Sequence, residues 1–135
     1  MEAGVKARIL VIDDDRFFRE LLRVHLIHAG YEVRVAEDAV EGGKALLEHG
    51  IDLVICDINM PYLNGLELVS LLRATEETAA IPVIFASSRR DAETMTAVEK
   101  LGASGYLTKP FQVEQLLDTV DLCLTKLKGR RAIQS

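Results

Sequence analysis

Four apolar residues, Ile9-Leu10-Val11-Ile12, run straight into three carboxylates, Asp13-Asp14-Asp15. An apolar run of this length, bounded by polar residues, reads as a buried strand. The acids then fall where that strand ends. In an open α/β sheet, ligands bind in the crevice beyond the carboxyl ends of the strands. Like charges this close repel one another, and burying them unpaired is costly. Something positive has to meet them, and the rest of the chain has to supply it.

The chain continues as an alternation of apolar runs and helical patterns. Phe18, Leu21, Leu22, His25, Leu26 and Ala29 recur at helical spacing, and Gly30 is a natural stop. Residues 31–36 alternate polar with apolar, which predicts a half-exposed second strand. Asp38 is placed to cap a helix reaching about His49 and closed by Gly50, although Gly42-Gly43 weakens it by about 1 kcal/mol per glycine. A third strand over residues 51–56 again ends in an acid, Asp57, followed by a turn containing Pro61 and Asn64-Gly65. A helix then carries Leu66, Leu68, Val69, Leu71 and Leu72, and residues 73–80 read as a polar loop. Residues 83–86 form a fourth strand ending at Ser87-Ser88, and a polar helix spans about 91–101. A short fifth strand, residues 106–108, leads into Lys109-Pro110, and the last helix carries Val113, Leu116, Leu117, Val120, Leu124 and Leu127 on one stripe. Five strand-helix units in succession predict an α/β fold, a doubly wound parallel sheet with right-handed crossovers and helices on both faces.

At 135 residues the chain suffices for one domain with a real core, and with 49% hydrophobic but only 5% aromatic residues that core is aliphatic. A net charge of −5 argues against direct nucleic-acid binding. No apolar run approaches the ~18–20 residues of a membrane span, and no signal peptide is visible, so a cytoplasmic protein without membrane contact is expected. Cys56 and Cys123 show neither metal spacing nor a disulfide framework and read as small core hydrophobes.

Aligning the strand ends brings distant residues together. Asp13-Asp14, Asp57, Ser87 and Lys109 end four different strands, which in a doubly wound sheet share one edge. Carboxylates with a backbone carbonyl and waters make the hard oxygen site that Mg²⁺ prefers. A metal clamped beside a lysine and a hydroxyl suits a phosphoryl group, and one carboxylate is a candidate nucleophile.

These pieces, in this order, carry a family resemblance. They are residues 11–15, Asp57-Ile58-Asn59-Met60-Pro61 with Asn64-Gly65, residues 81–84 with Ser87, and Gly102-Ala103 with residues 106–111. The chain resembles a response-regulator receiver domain of bacterial two-component signalling over about residues 7–127, leaving residues 128–135 as a polar tail or the start of a linker. The implied fold is flavodoxin-like, with strand order 2-1-3-4-5. By position, Asp57 matches the phosphoacceptor, taking a phosphoryl group from a sensor histidine kinase or phosphotransfer protein in a phosphorelay. The resemblance implies Mg²⁺, with Mn²⁺ as an alternative, on Asp13, Asp14, Asp57 and the Asn59 backbone carbonyl. Lys109 would hold the phosphoryl oxygens, with Pro110 fixing its peptide, open to the cis form. Ser87 and Tyr106 match the switch pair, and Asn59 and Arg89 the positions that tune dephosphorylation. The face of the fourth helix, fifth strand and fifth helix is the family's output surface for a downstream target or output domain. Such a domain is a signalling switch that catalyses its own phosphorylation and dephosphorylation, as a monomer or a phosphorylation-dependent dimer. Ser104-Gly105, where paired acids are common, and Ser88, where alanine is common, depart from the pattern.

Other readings compete. The triplet could be a helix-capping cluster, as acids favour a first turn, and Asp15 fits that role. Ser87 could be an ordinary strand-end residue and Tyr106 a core aromatic. His25, His28 and His49 have no ligand spacing. The basic cluster Lys126, Lys128, Arg130 and Arg131 suits a helix C-terminus. A phosphatase of the haloacid-dehalogenase type also begins Asp-x-Asp after a strand, but it needs a cap insertion and a later acidic pair that are not found. A receiver-like module that never takes phosphate would not need the full set of Asp13, Asp14, Asp57, Ser87 and Lys109.

Overall fold

Five parallel strands form one sheet, and each strand is followed by a helix. In this computed structural model the described residues are 4, 6–48 and 50–134, with side chains as far as 126. The elements are β1 (Arg8–Ile12), α1 (Arg16–His28), β2 (Glu32–Ala36), α2 (Ala39–Glu48), β3 (Leu53–Cys56), α3 (Gly65–Ala74), β4 (Val83–Ser87), α4 (Ala92–Lys100), β5 (Gly105–Thr108) and α5 (Val113–Gln134). With strand order β2-β1-β3-β4-β5, the chain adopts the doubly wound arrangement expected from the alternation and the flavodoxin-like order implied by the resemblance.

The central strands are buried along their length because both sheet faces are covered. One layer packs Leu10, Ile12, Val54, Val83 and Phe85 against Leu46, Leu68, Val69, Leu72 and Val98 from α2, α3 and α4. The other packs Ile9, Val11, Ile55 and Ile84 against Leu22 and Leu26 of α1 and Leu116 and Val120 of α5. Continuous Val/Ile/Leu runs satisfy two apolar faces at once, which is the physical content of a parallel-sheet strand. The edge strand β2 is more open than alternation suggests. Arg34 and Val35 are both exposed, and only Ala36 is buried.

Local signals end the helices where the sequence places them. Asp15 caps α1, accepting from the backbone N–H of Phe17 at 2.9 Å and of Phe18 at 3.4 Å. Gly30, at φ 102°, takes the left-handed conformation that ends α1. Asn64 and Glu67 form a reciprocal capping box at the start of α3. Asp38 accepts from Glu41 N at 2.8 Å, as expected of a cap for α2. His49, where that helix was expected to end, lies outside the described residues.

Three features depart from the sequence reading. Gly42 lets α2 lie against β1, since a Cβ there would stand 2.6 Å from Ile12 Cδ1. The glycine weakens the helix locally but permits its packing. Arg73 belongs to α3 rather than to a polar loop, and its guanidinium donates to the carbonyls of Ile81 (2.7 Å), Leu101 (2.9 Å) and Ala79 (3.1 Å). The backbone of α5 continues as helix to Gln134, past the point where the sequence suggested a polar tail. Among the described residues, no helix is long and apolar enough to cross a membrane.

Candidate functional site

β1 and β3 are neighbours, so their carboxyl ends deliver acids side by side. Asp57 N donates to Ile12 O at 2.9 Å, and Asp13 N to Ala36 O at 3.1 Å, which extends the sheet's ladder into the acidic cluster. Asp13 is 1% exposed and Asp57 7%, whereas Asp14 faces solvent. One carboxylate oxygen from each of Asp13, Asp14 and Asp57 lies within 4.8 Å of the others. Asp15 is turned away into the cap of α1, as expected.

The cation that the acids require comes from the end of β5. Lys109 Nζ donates to Asp13 Oδ2 at 2.7 Å and stands 3.7 Å from Asp57 Oδ2. The Lys109-Pro110 peptide is cis. Asp13 Oδ1 accepts from Asp15 N at 2.9 Å, and Asp57 Oδ1 from Asn59 N at 3.3 Å. Burial pushes the Asp57 carboxyl up to about 6, and the neighbouring Asp13 charge adds to this against the opposing pull of Lys109 and the Asn59 N–H. Three oxygen donors of this charge, two of them buried and only one lysine opposing them, fit a single hard divalent cation.

Ser87, the last residue of β4, is fully buried, and its Oγ accepts from Arg89 N at 3.2 Å. The half-buried Tyr106 hydroxyl donates to the Arg89 carbonyl. Burial raises the Tyr106 phenol, and its hydrogen bond with Ser87 works the other way. Ser87 and Tyr106 therefore meet at one loop, both through the backbone of Arg89. Asn59 is exposed two residues beyond Asp57. Arg89 is the one expected site residue aimed elsewhere: its Nε lies 3.3 Å from Asp91 Oδ1, on the cap of α4.

Four further residues, to which the sequence assigns no role in the site, touch it. Arg19 Nη1 donates to Asp13 O at 2.8 Å. The Phe18 ring lies under the Lys109 ammonium, and Phe111 packs beside it. Gly65 is pressed against the Asp57 backbone, where a Cβ would come within 2.1 Å of the carbonyl oxygen. Phe18 had been absorbed into the helical stripe and Phe111 into the motif around Pro110. Arg19 carried no signal.

Comparison with known proteins agrees with this geometry. The family model for the response regulator receiver domain matches residues 9–121. The response regulator MprA of Mycobacterium bovis (strain BCG / Pasteur 1173P2) is 37% identical over 131 residues, which are 97% of this chain and 56% of that protein. The transcriptional regulatory protein RprY of Bacteroides fragilis (strain YCH46) is 35% identical over 130 residues, 96% of this chain and 54% of that one. Among solved structures, the chemotaxis protein CheY4 of Vibrio cholerae superposes with a TM-score of 0.83 at 32% identity, covering 87% of this chain and 98% of that one. The chain belongs to the response regulator receiver domain family. It spans about half the length of these curated relatives.

Proposed function

We propose that this receiver domain takes a phosphoryl group on Asp57 from a phosphohistidine in a sensor histidine kinase or phosphotransfer protein. The observation that carries the reading is Lys109, which stands over both buried acids, Asp13 and Asp57, at an edge of three carboxylates. A carboxylate oxygen of Asp57 attacks phosphorus, the P–N bond breaks, and its electron pair leaves with the imidazole nitrogen. The product is an acyl phosphate on Asp57 and a free histidine on the donor. Lys109, already within reach of Asp57, binds the phosphoryl oxygens. Ser87, at the end of the neighbouring strand, donates its hydroxyl to the same group.

Asp13, Asp14 and Asp57, with the Asn59 backbone carbonyl, are the residues that would hold Mg²⁺, or Mn²⁺ in its place. Such an ion supplies positive charge that offsets the repulsion between the acids and the incoming phosphoryl group. Recruiting Ser87 toward the phosphoryl group would draw in the loop that carries Arg89. The Arg89 carbonyl holds the Tyr106 hydroxyl, so Ser87 and Tyr106 move as one switch that phosphorylation biases. The face of α4, β5 and α5 transmits the change to a downstream target or output domain. Asn59 and Arg89 tune the lifetime, with Arg89 first released from Asp91. The domain works in the cytoplasm as a switch that catalyses its own phosphorylation and dephosphorylation, binding no nucleic acid itself.

Incubation with acetyl phosphate and Mg²⁺, followed by intact mass, tests the reading. One added phosphoryl group is expected in the wild type and none in Asp57→Asn. Absence of any adduct in the wild type would sink it.

A further inference from the structure

The Lys109 ammonium lies 4.3 Å from the centroid of the Phe18 ring. Phe18 occupies the first turn of α1, and the Asp15 cap fixes that turn through the backbone N–H groups of Phe17 and Phe18. The ring is flanked by Phe17 at 5.8 Å, edge to face, and by Phe111 at 6.2 Å, which follows Lys109 by two residues. Three rings thus join the start of α1 to the loop after β5.

A lysine ammonium is a compact, strongly hydrated charge with three donors. Here its side chain is only 11% exposed, and Asp13 and Asp57 face it at 2.7 and 3.7 Å. The Phe18 ring adds a π face to these neighbours. Such a face attracts a cation through the ring quadrupole but offers no directional acceptor. A carboxylate or amide in that place would hold an N–H in one orientation, and water would screen the charge. Against Phe18 the ammonium meets no acceptor that would fix an N–H, so it can turn from Asp13 toward an anion carried by Asp57.

We propose that Phe18 is a positioning residue for Lys109, holding the ammonium over the Asp13–Asp57 edge and thereby setting the rate at which Asp57 is phosphorylated. The rate rests on the phosphoacceptor reading; the contact does not. Phe18→Leu keeps an apolar side chain and removes the π face, whereas Phe18→Tyr keeps both. In a proton–carbon-13 correlation spectrum, the Lys109 Hε signals are assigned by their loss in Lys109→Met. Ring current should shift them upfield in the wild type and in Phe18→Tyr, but not in Phe18→Leu. With acetyl phosphate and Mg²⁺, phosphorylation of Phe18→Leu should be about tenfold slower, and Phe18→Tyr should recover the wild-type rate. A packing role alone would leave Tyr no better than Leu. Lys109 signals unmoved by Phe18→Leu, or a wild-type rate in that variant, overturn the proposal. If Phe18→Leu does not fold, Phe18→Met makes the same comparison. A wild type that takes no phosphoryl group fails the phosphoacceptor reading instead, and the Lys109 signals then decide the contact by themselves.

Discussion

Lys109 Nζ and Asp13 Oδ2 are 2.7 Å apart across 96 residues of sequence, and both side chains are almost wholly buried. This pair is what makes an edge of clustered acids tolerable. Removing one partner of a buried ion pair leaves the other uncompensated. Lys109→Met should therefore cost the metal-free protein about 3 kcal/mol. Added Mg²⁺ should restore most of the loss, because a divalent cation supplies the missing charge. Urea denaturation with and without Mg²⁺ checks both halves, and an unchanged midpoint in the metal-free variant would contradict them.

Burial of Asp57 sets the sign of a pH dependence in stability. In the metal-free fold its carboxyl is raised to about 6, chiefly by burial and then by Asp13. Between about pH 4 and pH 6 the folded protein keeps a proton that the unfolded chain has already released. Stability from this group is fully present below about pH 4 and is lost as pH rises through about 6. The size is on the order of 3 kcal/mol, from about two pKa units. Asp57→Asn should abolish that fall. Denaturation midpoints measured across the window in both proteins test it, and parallel curves would count against it.

Gly65 and Gly43 should respond to alanine in opposite directions. At Gly65 a Cβ would meet the Asp57 carbonyl oxygen at 2.1 Å, and the obstruction is backbone. The start of α3 must then move away from Asp57. Gly65→Ala should lose about 2–3 kcal/mol and slow phosphorylation of Asp57 by about a hundredfold. At Gly43 nothing lies within 4 Å of a Cβ, so Gly43→Ala should gain up to about 1 kcal/mol from helix propensity. Paired denaturation and phosphorylation assays distinguish the two sites.

Arg73 holds the far end of the sheet. Its fork reaches four carbonyls, those of Ala79, Ile81, Leu101 and Gly102, from two separate loops. Lysine keeps the charge but cannot reproduce the planar fork. Arg73→Lys should cost about 1–3 kcal/mol, with phosphorylation of Asp57 nearly unchanged because the site lies at the opposite edge. A stability equal to wild type would show that the carbonyls find other partners.

Much of the candidate site is legible in the chain because its parts are local. Asp15 as a cap, Gly30 as a stop and acids immediately after apolar runs are each set by a few adjacent residues. Phe18 was harder to read, since its helical spacing is equally that of an ordinary core residue. Only the arrival of Lys109 and Phe111 from the other end of the chain makes its ring part of the site. Arg89 shows the converse. Its position beside Ser87 suggested a residue facing the acids, but Asp91, two residues on, holds its side chain at the cap of α4.

The alternation of strands and helices, the covered central strands and the acids and lysine at the strand ends are all legible in the chain alone. Hydrophobic periodicity, caps and turn residues act over a few positions and need no partner from afar. Tertiary structure alone decided which charges meet and at what distance, that Gly42 and Gly65 are close-packing points, and that Phe18 lies beneath Lys109. Those outcomes depend on different elements, up to 96 residues apart in the chain, packing to within a few ångströms, and no local pattern encodes that distance.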